Sequence, residues 1–187
     1  MKTPLLFIIL LLSAVTFGQT AFETKLAGLH NKDAFTVKYD KFDDKTQLTF
    51  KGGVVKNEKA YEPYALEMSG LAFFEGKAQT DNVQGFGLLF KSATSDWAFL
   101  RSNKLVLLLD DDIRIDLGDA SRTSKVVTGA GYRSANVTEH LLYFPKYDQF
   151  ALLAKAKKIE MKIGIFQGAL EEKELALIRN FFVLGTK

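Results

Sequence analysis

Apolar and polar residues alternate one for one in run after run of this chain. A period of two is the signature of half-buried β-strands. In FTVKYD, Phe35, Val37 and Tyr39 alternate with Thr36 and Lys38, and further on Leu48 and Phe50 alternate with Gln47 and Thr49. IEMKIGIF sets Ile159, Met161, Ile163 and Ile165 against Glu160, Lys162 and Gly164. YALEMSGLAFFEG, VQGFGLLFKS, DWAFL and EHLLYF read as additional strands, with the polar stretches DKFDDK, KAQTDN and SATS turning the chain between runs. Gly70, Gly85 and Gly87 fall inside such runs and predict bulges or bends. The sixteen phenylalanines, many of them in these segments, suit a packed sheet interior.

The last third changes period. After Pro145, the residues Tyr147, Phe150, Leu153 or Ala154, and Lys157 follow helical spacing. Further on, Leu170 stands where it can meet Leu175 across a first helical turn, and Glu171, Glu172 and Glu174 suit the positive end of a helix dipole. Leu175, Ile178 and Phe182, with Phe181 beside them, form the buried stripe of that second helix. Near the amino terminus, TAFETKLAGLHNKD predicts a short helix or a loose arm. The expected fold is α+β: a mainly antiparallel β-sheet or sandwich closed by two carboxyl-terminal helices.

The first eighteen residues, MKTPLLFIILLLSAVTFG, have the layout of a secretory leader: one lysine, an apolar run from Leu5 to Phe17, then a small residue for cleavage after Gly18. That run is too short for a membrane span, which takes roughly 20 residues. The expectation is a signal peptide over 1–18 and one soluble domain over 19–187, exported to the periplasm or beyond, with no transmembrane segment in the mature chain. Loss of Lys2 lowers the formal charge from +3 to +2. Such a balance lacks the basic footprint of a nucleic-acid binder. With no cysteine, disulfides and the acylated cysteine of a lipoprotein are both excluded, which suits a bacterial envelope protein with a self-sufficient core.

LVLLLDDDIRIDLGD raises the main chemical question. Leu105 to Leu109 is apolar at every position and predicts a strand buried on both faces. Asp110, Asp111 and Asp112 follow, then Ile113, Ile115 and Leu117 on one face against Arg114 and Asp116 on the other. A calcium loop starting at Asp110 would need an oxygen ligand where Arg114 stands and glycine where Ile115 stands. Aspartate favours turns because its side chain bonds nearby amides. A hairpin tip is the expectation, with an exposed cation site the lesser reading.

Glu139 and His140 are adjacent, and His30 is the only other histidine, so no His/Cys metal cluster is available. The pair suits a strand edge better than a base with its orienting acid. No G-x-S-x-G elbow, lysine P-loop or G-x-G-x-x-G before a helix occurs; GFG and TGAGYR read as sheet bends and a surface turn. No catalytic residue, metal or cofactor is assigned. Lys155, Lys157, Lys158 and Lys162, with Lys146, form a basic group that offers either an anionic surface contact or solvated lysines at a helix end. Trp97, the one tryptophan, reads as a core residue in a strand, or else as a sugar-stacking platform. Asn136 opens the glycosylation pattern N-V-T, relevant only in a host that glycosylates.

VKYDKFDDKTQL, the tryptophan run continuing into the acidic hairpin SDWAFLRSNKLVLLLDDDIRIDLG, and the segments EHLLYF, FALLAKAKKIEMKIG and LIRNFF together resemble a family of small exported bacterial proteins of unassigned activity. The resemblance implies neither a cofactor nor a catalytic residue. The functional expectation is a non-catalytic binding or accessory role in the envelope, with an unknown envelope component or protein as partner. The alternative is a hydrolase of envelope or exogenous polymers that uses paired carboxylates such as Asp111, Asp112 and Glu139.

Overall fold

The computed structural model describes residues 24–59, 63–76, 83–128 and 135–186. The expected leader and the stretch KAQTDN lie outside them or nearly so, as does most of TGAGYR. A helical turn at 24–27 (α1) leads through a short 3₁₀ turn, Lys32–Ala34, into ten strands and two longer helices. In chain order these are β1 Phe35–Asp40, β2 Lys45–Lys56, β3 Ala65–Glu75, β4 Val83–Thr94, β5 Lys104–Leu109, β6 Ile113–Asp119, β7 Ser121–Thr128, β8 Ala135–Tyr143, α2 Tyr147–Lys155, β9 Ile159–Ile163, β10 Phe166–Ala169 and α3 Glu172–Gly185. The mainly antiparallel α+β architecture expected from the sequence is present.

Six strands form one sheet in the order β1-β2-β3-β4-β8-β7, and four form a second in the order β10-β9-β5-β6, every pair antiparallel. Alternation decides the faces. Leu48 and Phe50, Leu66 and Met68, Phe86, Leu88 and Phe90, and Leu141 and Tyr143 all turn inward from the large sheet. Leu105, Leu107 and Leu109 do the same from the small sheet with Ile159, Met161 and Ile163, and all join one hydrophobic core. The helices close it: Phe181 meets Phe50 edge-on at 5.0 Å, and Phe150 stacks on Phe86 at 4.5 Å. Leu170 and Leu175 are both buried across the start of α3, as a hydrophobic staple requires.

The sheets are joined at two corners. Only Ala120 separates β6 from β7, so nearly continuous chain leaves the small sheet and enters the large one. At the other corner Glu58 N–H donates to Gln167 O at 2.8 Å, and Gly168 lies so close to β2 that a Cβ would meet Lys56 O at 2.3 Å.

Several local expectations need correction. DWAFL is not a strand: residues 95–103 form an irregular connection between β4 and β5, and Trp97 is surface-exposed rather than core. β5 is fully buried on one face only: Val106, paired with Asp116 and Lys162, and Leu108, paired with Arg114 and Glu160, lie half-covered on the other. IEMKIGIF is a hairpin. Gly164, at φ 54, and Ile165 turn the chain, Ile163 pairs with Phe166, and the buried phase shifts from Ile165 to Phe166. Pro145 precedes the helix start, whose cap is Lys146.

Gly70 explains one packing choice. A Cβ there would stand 2.1 Å from Phe50 Cε1, so the absent side chain is the space the ring occupies. Beside it, β2 bulges between Phe50 and Gly53. Gly70→Ala is expected to destabilise the protein by about 1–3 kcal/mol through overpacking, read as a lower urea midpoint with an unchanged slope; Gly85→Ala, where nothing lies within 4 Å, is the control.

Candidate functional site

Among the described residues, the connection 95–103 carries a cleft lined by exposed apolar side chains. Its ends belong to different sheets, and its middle is fixed by groups reaching from other strands. The Glu139 side chain on β8 has no solvent exposure, and its Oε2 accepts from Ala98 N–H at 2.8 Å and Phe99 N–H at 3.1 Å. Arg122 on β7 donates to Phe99 O at 3.3 Å and stands 3.9 Å from Glu139 Oε1. Thr94 Oγ1 donates to Asp96 O at 2.5 Å, and Tyr143 Oη donates to Asn103 O at 2.5 Å. Burial, with the Asp119 carboxylate adding to it, pushes the Tyr143 phenol well above the usual tyrosine range, so it stays a donor. Phe99 fills the core beneath the loop.

With its backbone and Phe99 held inward, the loop turns its remaining side chains out. Trp97 is 38% exposed, Leu100 57%, and Ile165 of the β9–β10 turn 51%. They line an open cleft of about 380 Å³ together with Asp96, Ala98, Arg101 and Ser102. A second cleft of about 280 Å³ adjoins it, sharing Leu100, Arg101 and Ser102 and adding Asn103 and Asp119. Large exposed apolar groups gathered at one concavity, with a few polar groups converging on it, are what a small-molecule site needs. Gly164 lets the β9–β10 turn approach the loop closely, since a Cβ there would stand 2.4 Å from Ser102 O.

The residues singled out from sequence fall elsewhere. Asp110 and Asp111 are the central pair of the β5–β6 turn, with φ of 50 and 67, as in a type I′ turn, and Asp112 N–H donates to Leu109 O at 3.0 Å. Asp110 Oδ1 accepts from Lys157 N–H at 2.9 Å and Lys158 N–H at 2.8 Å, which fastens the α2–β9 connection to the hairpin. Asp111 and Glu160 each meet Lys158 Nζ at 2.7 Å. These contacts raise the Lys158 pKa, Asp111 contributing most. Asp116 pairs with Lys104 at 2.7 Å and accepts from Gly118 N–H at 3.0 Å; both contacts hold its carboxyl below the usual range. Lys155, Lys157 and Lys162 remain exposed on this side of the molecule, while Lys158 is committed to two acids.

Glu139 and His140 do not form a strand-edge pair. β8 lies between β4 and β7, and neighbouring residues on it point to opposite faces. Glu139 turns inward opposite Ser92, while His140 turns outward between Lys91 and Thr123. Nor does Glu139 approach the aspartates: its loop packs at the Lys104 end of β5 and the turn lies at the Leu109 end, roughly 16 Å away at the rise of a strand. Among the described residues, no three His, Cys, Asp or Glu side chains gather as a metal site would require. No described helix is long and apolar enough to cross a membrane.

Comparison with protein-family models, with curated proteins and with solved structures finds no match for this chain.

Replacing Glu139 tests the scaffold. Glu139→Ala leaves two buried amides without an acceptor and is expected to cost about 2–5 kcal/mol. Glu139→Gln keeps an acceptor oxygen and is expected to cost less than half as much. Urea unfolding supplies the magnitudes, and Trp97 emission reports whether the loop loosens before the global transition.

Proposed function

We propose that the protein is exported to the bacterial envelope or periplasm and has a non-catalytic binding or accessory role there, with the Trp97 cleft as its ligand contact. The observation that carries this reading is the exposure of Trp97, Leu100 and Ile165 around one cleft on a loop whose backbone is already anchored from within. A loop fastened in this way loses little freedom when a ligand arrives, and that limits the entropic cost of binding. Two of the three carboxyl groups named for a polymer hydrolase are engaged elsewhere: Glu139 with loop amides and Asp111 with Lys158.

Export rests on the leader alone. Expression of the full chain in a bacterial host, followed by fractionation and amino-terminal sequencing, is expected to return a periplasmic or medium fraction starting at Gln19. Full-length protein retained in the cytoplasm would overturn this part.

The cleft carries its own reporter, because Trp97 is the only tryptophan. The test is a titration of the mature protein with hexamers of glucose, mannose and N-acetylglucosamine, an alginate hexamer, and acidic and apolar tetrapeptides. A saturable change in Trp97 emission is expected from one class, with no conversion of that ligand on prolonged incubation. Silence across the whole panel would overturn the binding reading. Turnover lost in Asp96→Asn or Asp119→Asn would overturn its non-catalytic part.

A further inference from the structure

We infer that the ligand of the Trp97 cleft is an uncharged oligosaccharide, with one sugar ring laid against the indole and the chain continuing toward Asn103 and Asp119. This rests on the binding reading above and narrows it to a chemical class.

The loop has a limited set of groups to offer a ligand. An extended peptide is usually recognised through main-chain hydrogen bonds along a free strand edge. Here part of the main chain is already occupied: Ala98 and Phe99 N–H donate to Glu139, Trp97 N–H to Asp96 Oδ1, and Phe99 O accepts from Arg122, Asp96 O from Thr94 and Asn103 O from Tyr143. The exposed side chains supply further partners. Those available are an indole, two aliphatic groups, two carboxyls, a guanidinium, a hydroxyl and an amide. A sugar ring presents an apolar C–H face bordered by hydroxyls that both donate and accept. The indole suits the face, and Asp96, Arg101, Ser102, Asn103 and Asp119 offer partners to the hydroxyls.

Charge points the same way. Among the described residues that line the two clefts, Arg101 is the cation, against the carboxyls of Asp96 and Asp119. A polyanion such as a uronate chain would meet more like charge than opposite charge. An uncharged sugar meets no such penalty, and it uses carboxyls as acceptors directly.

Shape agrees with this class. The larger cleft has a volume at the low end of the range for small-molecule sites, and both clefts are open rather than enclosed. Two adjoining depressions that share Leu100, Arg101 and Ser102 suit a chain of rings laid across the surface better than a compact ligand buried in one pocket.

The experiment uses the same panel, with emission of the mature protein and calorimetry of the variants Trp97→Ala, Trp97→Phe and Asp119→Asn. One of the uncharged hexamers is expected to bind. Its affinity should fall about tenfold or more in Trp97→Ala, less in Trp97→Phe, which retains a ring face, and measurably in Asp119→Asn. Trp97 is 38% exposed and otherwise covered, so the thermal unfolding of each variant is measured beside its binding, and affinity lost by protein still folded at the assay temperature is lost binding rather than lost folding. Binding of the tetrapeptides or alginate in place of the uncharged hexamers would overturn the carbohydrate class and leave the binding reading standing. An uncharged hexamer that binds Trp97→Ala as tightly as wild type would overturn the placement. No response to any member would overturn both.

Discussion

A carboxyl group with no access to water holds the crossing between the two sheets. Burying such a group is costly unless its hydrogen bonds are made within the protein. Glu139 meets that condition by accepting two consecutive amides, Ala98 and Phe99, from the segment that leaves the six-stranded sheet and enters the four-stranded one. An irregular crossing has no ladder partner for its own amides, and buried amides require one. The carboxyl on β8 supplies what a strand would have supplied. Phe99 can then enter the core, and Trp97 and Leu100, on either side of the pinned pair, remain at the surface.

The same device recurs at the other buried glutamate. β2 bulges between Phe50 and Gly53, and Glu174 on α3, also without solvent exposure, accepts Val54 N–H at 3.1 Å with Oε1. Gly53 leaves room for the side chain, since a Cβ there would already crowd Met68 at 2.9 Å and Glu174 at 3.4 Å. In each case a sheet irregularity is stabilised by a glutamate from a neighbouring element. Both acids therefore belong to the scaffold rather than to chemistry at the surface. The second oxygen of each lacks a hydrogen-bond partner among the described residues: Glu139 Oε1 has Arg122 at 3.9 Å, whereas Lys173 stands 3.6 Å from Glu174 Oε1, the oxygen that already accepts Val54 N–H.

This division explains what was legible in the sequence. Alternation marks strands wherever one face is buried, so β2, β3, β4 and β9 could be read from residue pattern, β1 shares the alternation although only its Phe35 is buried, and a period near 3.6 marked α2 and α3. β7 could not be read in that way: SRTSKVVT is an exposed edge strand, and an edge far from the core lacks the apolar beat. The helical stripe at α3 was legible in Leu175 and Ile178, but of the two phenylalanines it is Phe181 that is fully buried and Phe182, expected in the stripe, only partly, and Glu174 was misplaced. A glutamate in a first helical turn looks like a solvated partner for the dipole, and only the distant β2 bulge makes it a buried acceptor. IEMKIGIF misled because a turn at Gly164 and Ile165 keeps an apolar residue in phase with the preceding strand while burial passes to Phe166.

The candidate site was the least legible part, for a related reason. DWAFL looks like a strand because it is apolar, yet it does not alternate, and it is bounded by SATS before and RSN after, residues that favour loops. That absence of period, rather than the presence of a motif, was the available signal. The conspicuous DDD run led elsewhere because aspartate serves turns and metals alike, and only backbone φ and the amides of Lys157 and Lys158 identify its work here as structural. Apolar residues without a period cannot all turn toward one interior. When the backbone beneath them is fixed by a buried acceptor, some must face water, and Trp97 and Leu100 are the two this chain leaves there.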